Sequence, residues 1–179
     1  MGPIELVWGV ILLFFAIVGL VRGYAKELGS TLVILVAIFV LTQFGEAALQ
    51  LLPPRVGEIV GLSDSPQELN LLKLLMIAGA FVVILYAAYQ GETLAFEGRS
   101  ASGAEGAVLS LMLGLINGYL VAGTLWYYLD LYRYPIGSLF QPPLSPLAQA
   151  IIPYLPPNVL SPGALTALIA LMILLRVRR

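Results

Sequence analysis

The chain has 179 residues, a formal net charge of −1 and neither cysteine nor histidine; 11% of its residues are charged, against about a quarter in ordinary soluble domains. With a mean hydropathy of +0.96, this is the composition of a membrane protein, and it offers no basic stripe for nucleic acid. It also excludes disulfides, thiolate and imidazole metal sites, and catalysis that depends on cysteine or histidine.

The first uncharged run fills the sixteen positions between Glu5 and Arg22, and the second the eighteen between Glu27 and Glu46, resuming as far as Leu52. Each approaches the roughly 20 residues that carry a helix across about 30 Å of hydrocarbon. The first run has Glu5 and no basic residue ahead of it, and no small-residue cleavage site follows before Arg22, so it reads as a retained span rather than a signal peptide. Between the two runs, GLVRGYAKELG gathers Arg22, Lys26 and Glu27 into a tight corner. Its plain reading is a topological anchor; a binding role for Arg22 or Lys26 is the sharper one.

A third run covers Leu74 to Gly91, and a fourth, the longest, Gly106 to Leu129. In the fourth, small residues recur every four positions at Gly106, Ser110, Gly114, Gly118 and Ala122, a stripe on one helix face that lets another backbone approach closely. Packing within the chain explains it better than dimerisation. Asn117 lies near the middle of that span and requires a hydrogen-bond partner there, either as interhelical glue or as part of a site for a polar ligand. Trp126, Tyr127, Tyr128, Tyr132 and Tyr134 crowd the end of the same span and Trp8 lies near the start of the first, as an interfacial aromatic belt would.

Pro142, Pro143, Pro146, Pro153, Pro156, Pro157 and Pro162 interrupt residues 135–162 and forbid a continuous span there. The expected form is an outer cap with an interfacial or re-entrant turn. A last apolar run, Gly163 to Leu175, has thirteen residues. A helix from Pro162 to about Val177, started by Ser161 as cap and Pro162 in the first turn, reaches about 24 Å. That is short for a span, yet ALTALIALMILL has no polar face for lying in the interface. The reading is therefore all-α and polytopic: a four-helix transmembrane core at 1–134, the Pro-rich extracytoplasmic cap at 135–162, and a short fifth transmembrane helix with a basic tail at 163–179. With the amino terminus outside, six of the nine Lys and Arg (Arg22, Lys26, Arg99, Arg176, Arg178, Arg179) fall inside and three (Arg55, Lys73, Arg133) outside, the bias that positive charge shows for the cytoplasm.

LVRGYAKELGSTLVILVAIFVL resembles the first-loop signature of the colicin V production protein family: an apolar helix, an Arg-Gly-aromatic turn, basic and acidic residues, and a second helix. GRSASGAEGAVLSLMLGLINGYLVAGTLWYYLD is similar to that family's glycine-rich last common helix. The matching positions are Arg22, Gly23, Tyr24, Lys26, Glu27, Gly106, Gly114, Gly118 and Asp130. The chain departs from the pattern at Asn117, where the family commonly carries a basic residue, and the Pro-rich cap and terminal helix look like additions to its roughly four spans. The resemblance implies a small bacterial inner-membrane protein associated with toxin production and envelope phenotypes, without an established reaction.

Three function classes remain. A structural or assembly role, as an accessory subunit or scaffold packing against other membrane helices or against itself, uses the small-residue stripe and the cap. A small channel or transporter would line a polar route with Asn117, Gln43, Glu46 and Lys73, although the long runs are almost free of the ionisable groups such routes use, and no internal repeat is evident. An intramembrane enzyme is least supported, because no span holds two carboxylates or a Lys beside a Ser at helical spacing. No catalytic, metal or cofactor-binding residue is named, and no cofactor is expected.

Overall fold

The computed structural model describes residues 3–50, 65–90, 103–136, 140, 142 and 144–177. Arg55, Arg99, Pro143 and the last two arginines lie outside the described residues. Helices α1 (Ile4–Arg22), α2 (Tyr24–Gln50), α3 (Pro66–Gln90) and α4 (Gly103–Leu131) are each long and apolar enough to cross a membrane. They are followed by the short α5 (Pro146–Ile151), a 3-10 turn (Ile152–Tyr154), α6 (Pro156–Val159) and the apolar α7 (Pro162–Val177). Among the described residues there is no strand. The helices overrun the uncharged runs: α3 starts at Pro66, taking in Glu68 and Lys73. A helix does not end where hydrocarbon ends, and its polar ends extend into the interface.

The bundle is assembled around the small-residue stripe of α4. Gly19, Gly114 and Gly118 bring α1 and α4 together antiparallel: a Cβ on Gly118 would lie 2.9 Å from the Phe15 Cβ and 3.0 Å from the Leu12 Cα, and one on Gly114 would lie 3.0 Å from the Ala16 Cα and closer still to the Phe15 carbonyl oxygen. A Cβ on Gly19 would run into the Ser110 carbonyl oxygen and the Gly114 backbone. Backbone against backbone is the packing that small residues permit in lipid, where no hydrophobic force separates helix contacts from lipid contacts. Ser110 donates its hydroxyl to the Gly106 carbonyl at 2.7 Å, so the stripe's one hydroxyl is satisfied within its own helix. Gly106 and Ala122 are buried with the rest of the stripe.

Against this pair lie α2 and α3. Two apolar clusters stack along the bundle. One, toward the α1–α2 corner, joins Ile34, Leu35, Ile38, Phe81, Leu85, Leu120 and Val121. The other, toward the opposite end, joins Ile4, Leu74, Ile77, Trp126, Tyr128, Leu129 and Leu155. At that end α4 stops at Leu131; Arg133 and Tyr134 take positive φ of 59° and 53°, and the Tyr134 N–H donates back to the Leu129 carbonyl at 2.8 Å. This left-handed cap turns Tyr134 toward the bundle, where its hydroxyl donates to Asp130 at 2.9 Å and accepts from Trp126 Nε1 at 3.1 Å. Burial, chiefly, holds the Tyr134 hydroxyl above its ordinary range, and Asp130 adds to that effect.

The Pro-rich segment descends along α4. Ser145 caps α5 and donates to Glu5 Oε1 at 2.6 Å, Tyr119 donates its hydroxyl to the Tyr154 carbonyl, and Pro156 is seated on Gly123. Helix α1, at 19 residues or about 28 Å, matches the hydrocarbon thickness of about 30 Å, and its middle packs on Gly114 and Gly118. Gly123 is five residues beyond Gly118, about 8 Å, so Pro156 lies well inside the half-thickness of about 15 Å. From there α7, 16 residues long, reaches about 24 Å toward the corner end, and its Leu165 and Met172 join the cluster built on α2. The helix that looks too short to span starts partway across.

Candidate functional site

The α1–α2 connection is a single residue. Gly23 adopts φ 83° and ψ 158°, a combination essentially reserved to glycine; its N–H donates to the Gly19 carbonyl at 2.9 Å, and the Glu27 N–H to the Gly23 carbonyl at 3.1 Å. The reversal sets Arg22, the last residue of α1, beside Glu27 in the first turn of α2. Alanine at position 23 should lower stability by about 1–3 kcal/mol, read as a lower midpoint in detergent-to-SDS unfolding.

Glu27 is completely buried. Arg22 Nη1 donates to its Oε1 at 2.7 Å and to Ser30 Oγ at 3.0 Å, while Nη2 donates to the Tyr89 carbonyl at 3.3 Å. The guanidinium also lies 4.2 Å from the centre of the Tyr89 ring, a cation–π contact. The second carboxylate oxygen accepts from the Tyr89 hydroxyl at 3.2 Å and from Asn117 Nδ2 at 2.7 Å. Asn117, equally buried, reaches the Glu27 carbonyl at 3.2 Å as well. Its own carbonyl oxygen lies 2.8 Å from the Thr31 hydroxyl, which is 2.9 Å from the Glu27 carbonyl.

Six side chains from four helices thus form one connected network of zero net charge. Chemically it is a lock. Both carboxylate oxygens, the guanidinium and the amide are occupied by protein groups, which is the condition under which a buried ion pair is tolerated. Among the described residues no group of three or more acidic side chains is placed to hold a metal.

The corner therefore differs from a solvated anchor. Lys26 is exposed and Tyr24 half-buried, but Arg22 turns inward, where the sharp turn brings its guanidinium to 2.7 Å from the Glu27 carboxylate. Asn117 finds its partner on α2, and Gly114 and Gly118 beside it set the helix spacing that makes this contact. Ser30, Thr31 and Tyr89 were not legible as members of the site. The available signal is the i, i+3, i+4 spacing of Glu27, Ser30 and Thr31, one polar face in an otherwise apolar run; Tyr89, near the end of the third run, carries no such signal. Gln43, Glu46 and Lys73 do not join the network: Glu46 lies fifteen residues past Thr31 on α2, about 22 Å away, and accepts from the Tyr132 hydroxyl at 2.7 Å. Asp130 belongs to the Tyr134 cap at that same far end.

The family model described as colicin V production protein matches residues 4–141, a stretch holding all four long helices and every member of the network. No curated protein and no solved structure matches the chain.

Proposed function

Starting from the fact that this chain belongs to the colicin V production protein family, which is not a known enzyme family, we propose that this multi-pass membrane protein has a structural or assembly role, as an accessory subunit or scaffold that packs against other membrane helices. The observation that carries this reading is the self-contained network at the corner: the Arg22–Glu27 pair and Asn117 are satisfied by one another, and the outward faces are apolar, as on α1 at Leu6, Val10, Leu13, Phe14 and Ile17. A channel or transporter with a polar route near Asn117 would instead keep those groups facing a water-filled path. The proposed setting is the bacterial inner membrane, with 1–134 as the core, 135–162 as an extracytoplasmic cap and 163–179 as the terminal helix, the amino terminus outside and the carboxy terminus in the cytoplasm.

Orientation is testable because the chain has no native cysteine. Lys26→Cys should resist a membrane-impermeant maleimide applied to intact cells, and Pro143→Cys should react; the reverse pattern would invert the topology. The role is tested by extraction from the native membrane in mild detergent, followed by sizing and mass spectrometry of what leaves with the chain. A stoichiometric assembly supports the scaffold reading. Solute flux through proteoliposomes containing the chain alone would replace it.

A further inference from the structure

The turn between α6 and α7 exposes polar groups at a depth where lipid cannot satisfy them. Pro156 rests on Gly123, which places it inside the hydrocarbon by the α1 ruler, and the chain continues from it toward the bundle's middle, where Leu160 packs against the corner-end cluster. Yet Asn158, Val159, Ser161, Pro162 and Gly163 are all exposed, Val159 by 53%. Irregular backbone at hydrocarbon depth occurs only where protein or a water-lined cavity covers it. This elbow therefore requires a cover that the described residues do not provide.

The hydrogen-bonding capacity left on the elbow specifies that cover. Asn158 Nδ2 donates to the Ile152 carbonyl at 2.8 Å, which leaves the amide oxygen open as an acceptor. Ser161 Oγ accepts from the Ala164 N–H at 3.2 Å, which leaves its hydroxyl proton open as a donor. Donor and acceptor stand three residues apart on one exposed patch. A two-fold axis through such a patch matches each group with the other's counterpart, the self-complementarity an isologous interface requires. Proline and glycine beside them allow close backbone approach. We propose that the elbow at residues 158–163 is a homodimer interface within the membrane, in which Ser161 of each copy donates to Asn158 of the other. The small-residue stripe of α4 takes no part, since α1 already lies against it at Ser110, Gly114 and Gly118. Self-association here is independent of whether the chain also serves a larger assembly.

Val159→Cys, in the full-length chain and in native membranes, is the probe. Oxidation of the two thiols by copper phenanthroline should give a disulfide-linked homodimer. Val83→Cys, equally lipid-facing on α3 at 68% exposure, should give little. Adding Ser161→Ala or Asn158→Leu to the Val159→Cys chain should lower the dimer yield about threefold for each hydrogen bond removed. Four results would overturn the proposal: no dimer at position 159, equal dimer at 83 and 159, a cross-link only to a different protein, or ready reaction of Val159→Cys with a membrane-impermeant maleimide, which would mean that water covers the elbow.

Discussion

Glu27→Leu, with Arg22 left in place, is expected to destabilise the protein by about 3–5 kcal/mol, because it strands a guanidinium that is largely removed from solvent. The double variant Arg22→Met/Glu27→Leu should recover the part of that loss due to the unmatched charge, but not the part due to the donors of Asn117 and Tyr89 left without an acceptor. Isolated ion pairs on a surface contribute at most about 1 kcal/mol, but Glu27 is wholly buried and Arg22 retains 18% side-chain exposure, so the cost of an unmatched charge dominates over the strength of the pair. The cycle is read from SDS-unfolding midpoints of the two single variants and the double. A corner that acted only as a solvated anchor would show small effects that add. Leu at 27 also releases Asn117 and the Tyr89 hydroxyl, so Glu27→Gln, which keeps acceptors for both, should fall between wild type and Glu27→Leu.

The second large effect is at the helix contact. Gly114→Leu is expected to be more damaging than the roughly 1–3 kcal/mol of ordinary overpacking, since the first atom added meets the Phe15 carbonyl and the Ala16 Cα, and backbone cannot rotate away as a side chain does. To admit it, α1 and α4 must separate along their length, which also pulls the network apart. Gly9→Ala supplies the control: nothing lies within 4 Å of its added Cβ, and alanine gains about 1 kcal/mol over glycine in a helix. The two substitutions should therefore move the unfolding midpoint in opposite directions. Equal effects would mean that α1 is held by something other than this contact.

Much of the architecture can be read from residue order. Four runs of sixteen to twenty-four uncharged residues specify four spans because thickness alone sets that length, and Ser161 with Pro162 marks the start of α7. The depth at which α7 begins was not legible, since it follows from Pro156 meeting Gly123, a contact between segments thirty-three positions apart. The same holds for the network. Asn117 announces its need for a partner through its position in an apolar run, but Glu27 stands ninety residues away, and the pairing is fixed by how far α1 and α4 slide before Gly19, Gly114 and Gly118 interlock. A charged residue at a run's edge reads as solvated unless the turn geometry is known, and here Gly23 inverts that expectation.

The bonds to Glu27 also differ in when they become available. Arg22 is five positions away, so a nascent hairpin of α1 and α2 can neutralise the carboxylate as soon as both helices leave the ribosome, while long-range partners come later. The other oxygen waits for Tyr89, sixty-two residues on, and Asn117, ninety residues on. Until then the hairpin carries one open acceptor facing lipid, a vacancy that any passing donor helix could fill. Synthesis order thus gives α3 and α4 a fixed address to find, and a chain interrupted after α2 leaves a half-satisfied acid exposed as a mark of incomplete assembly.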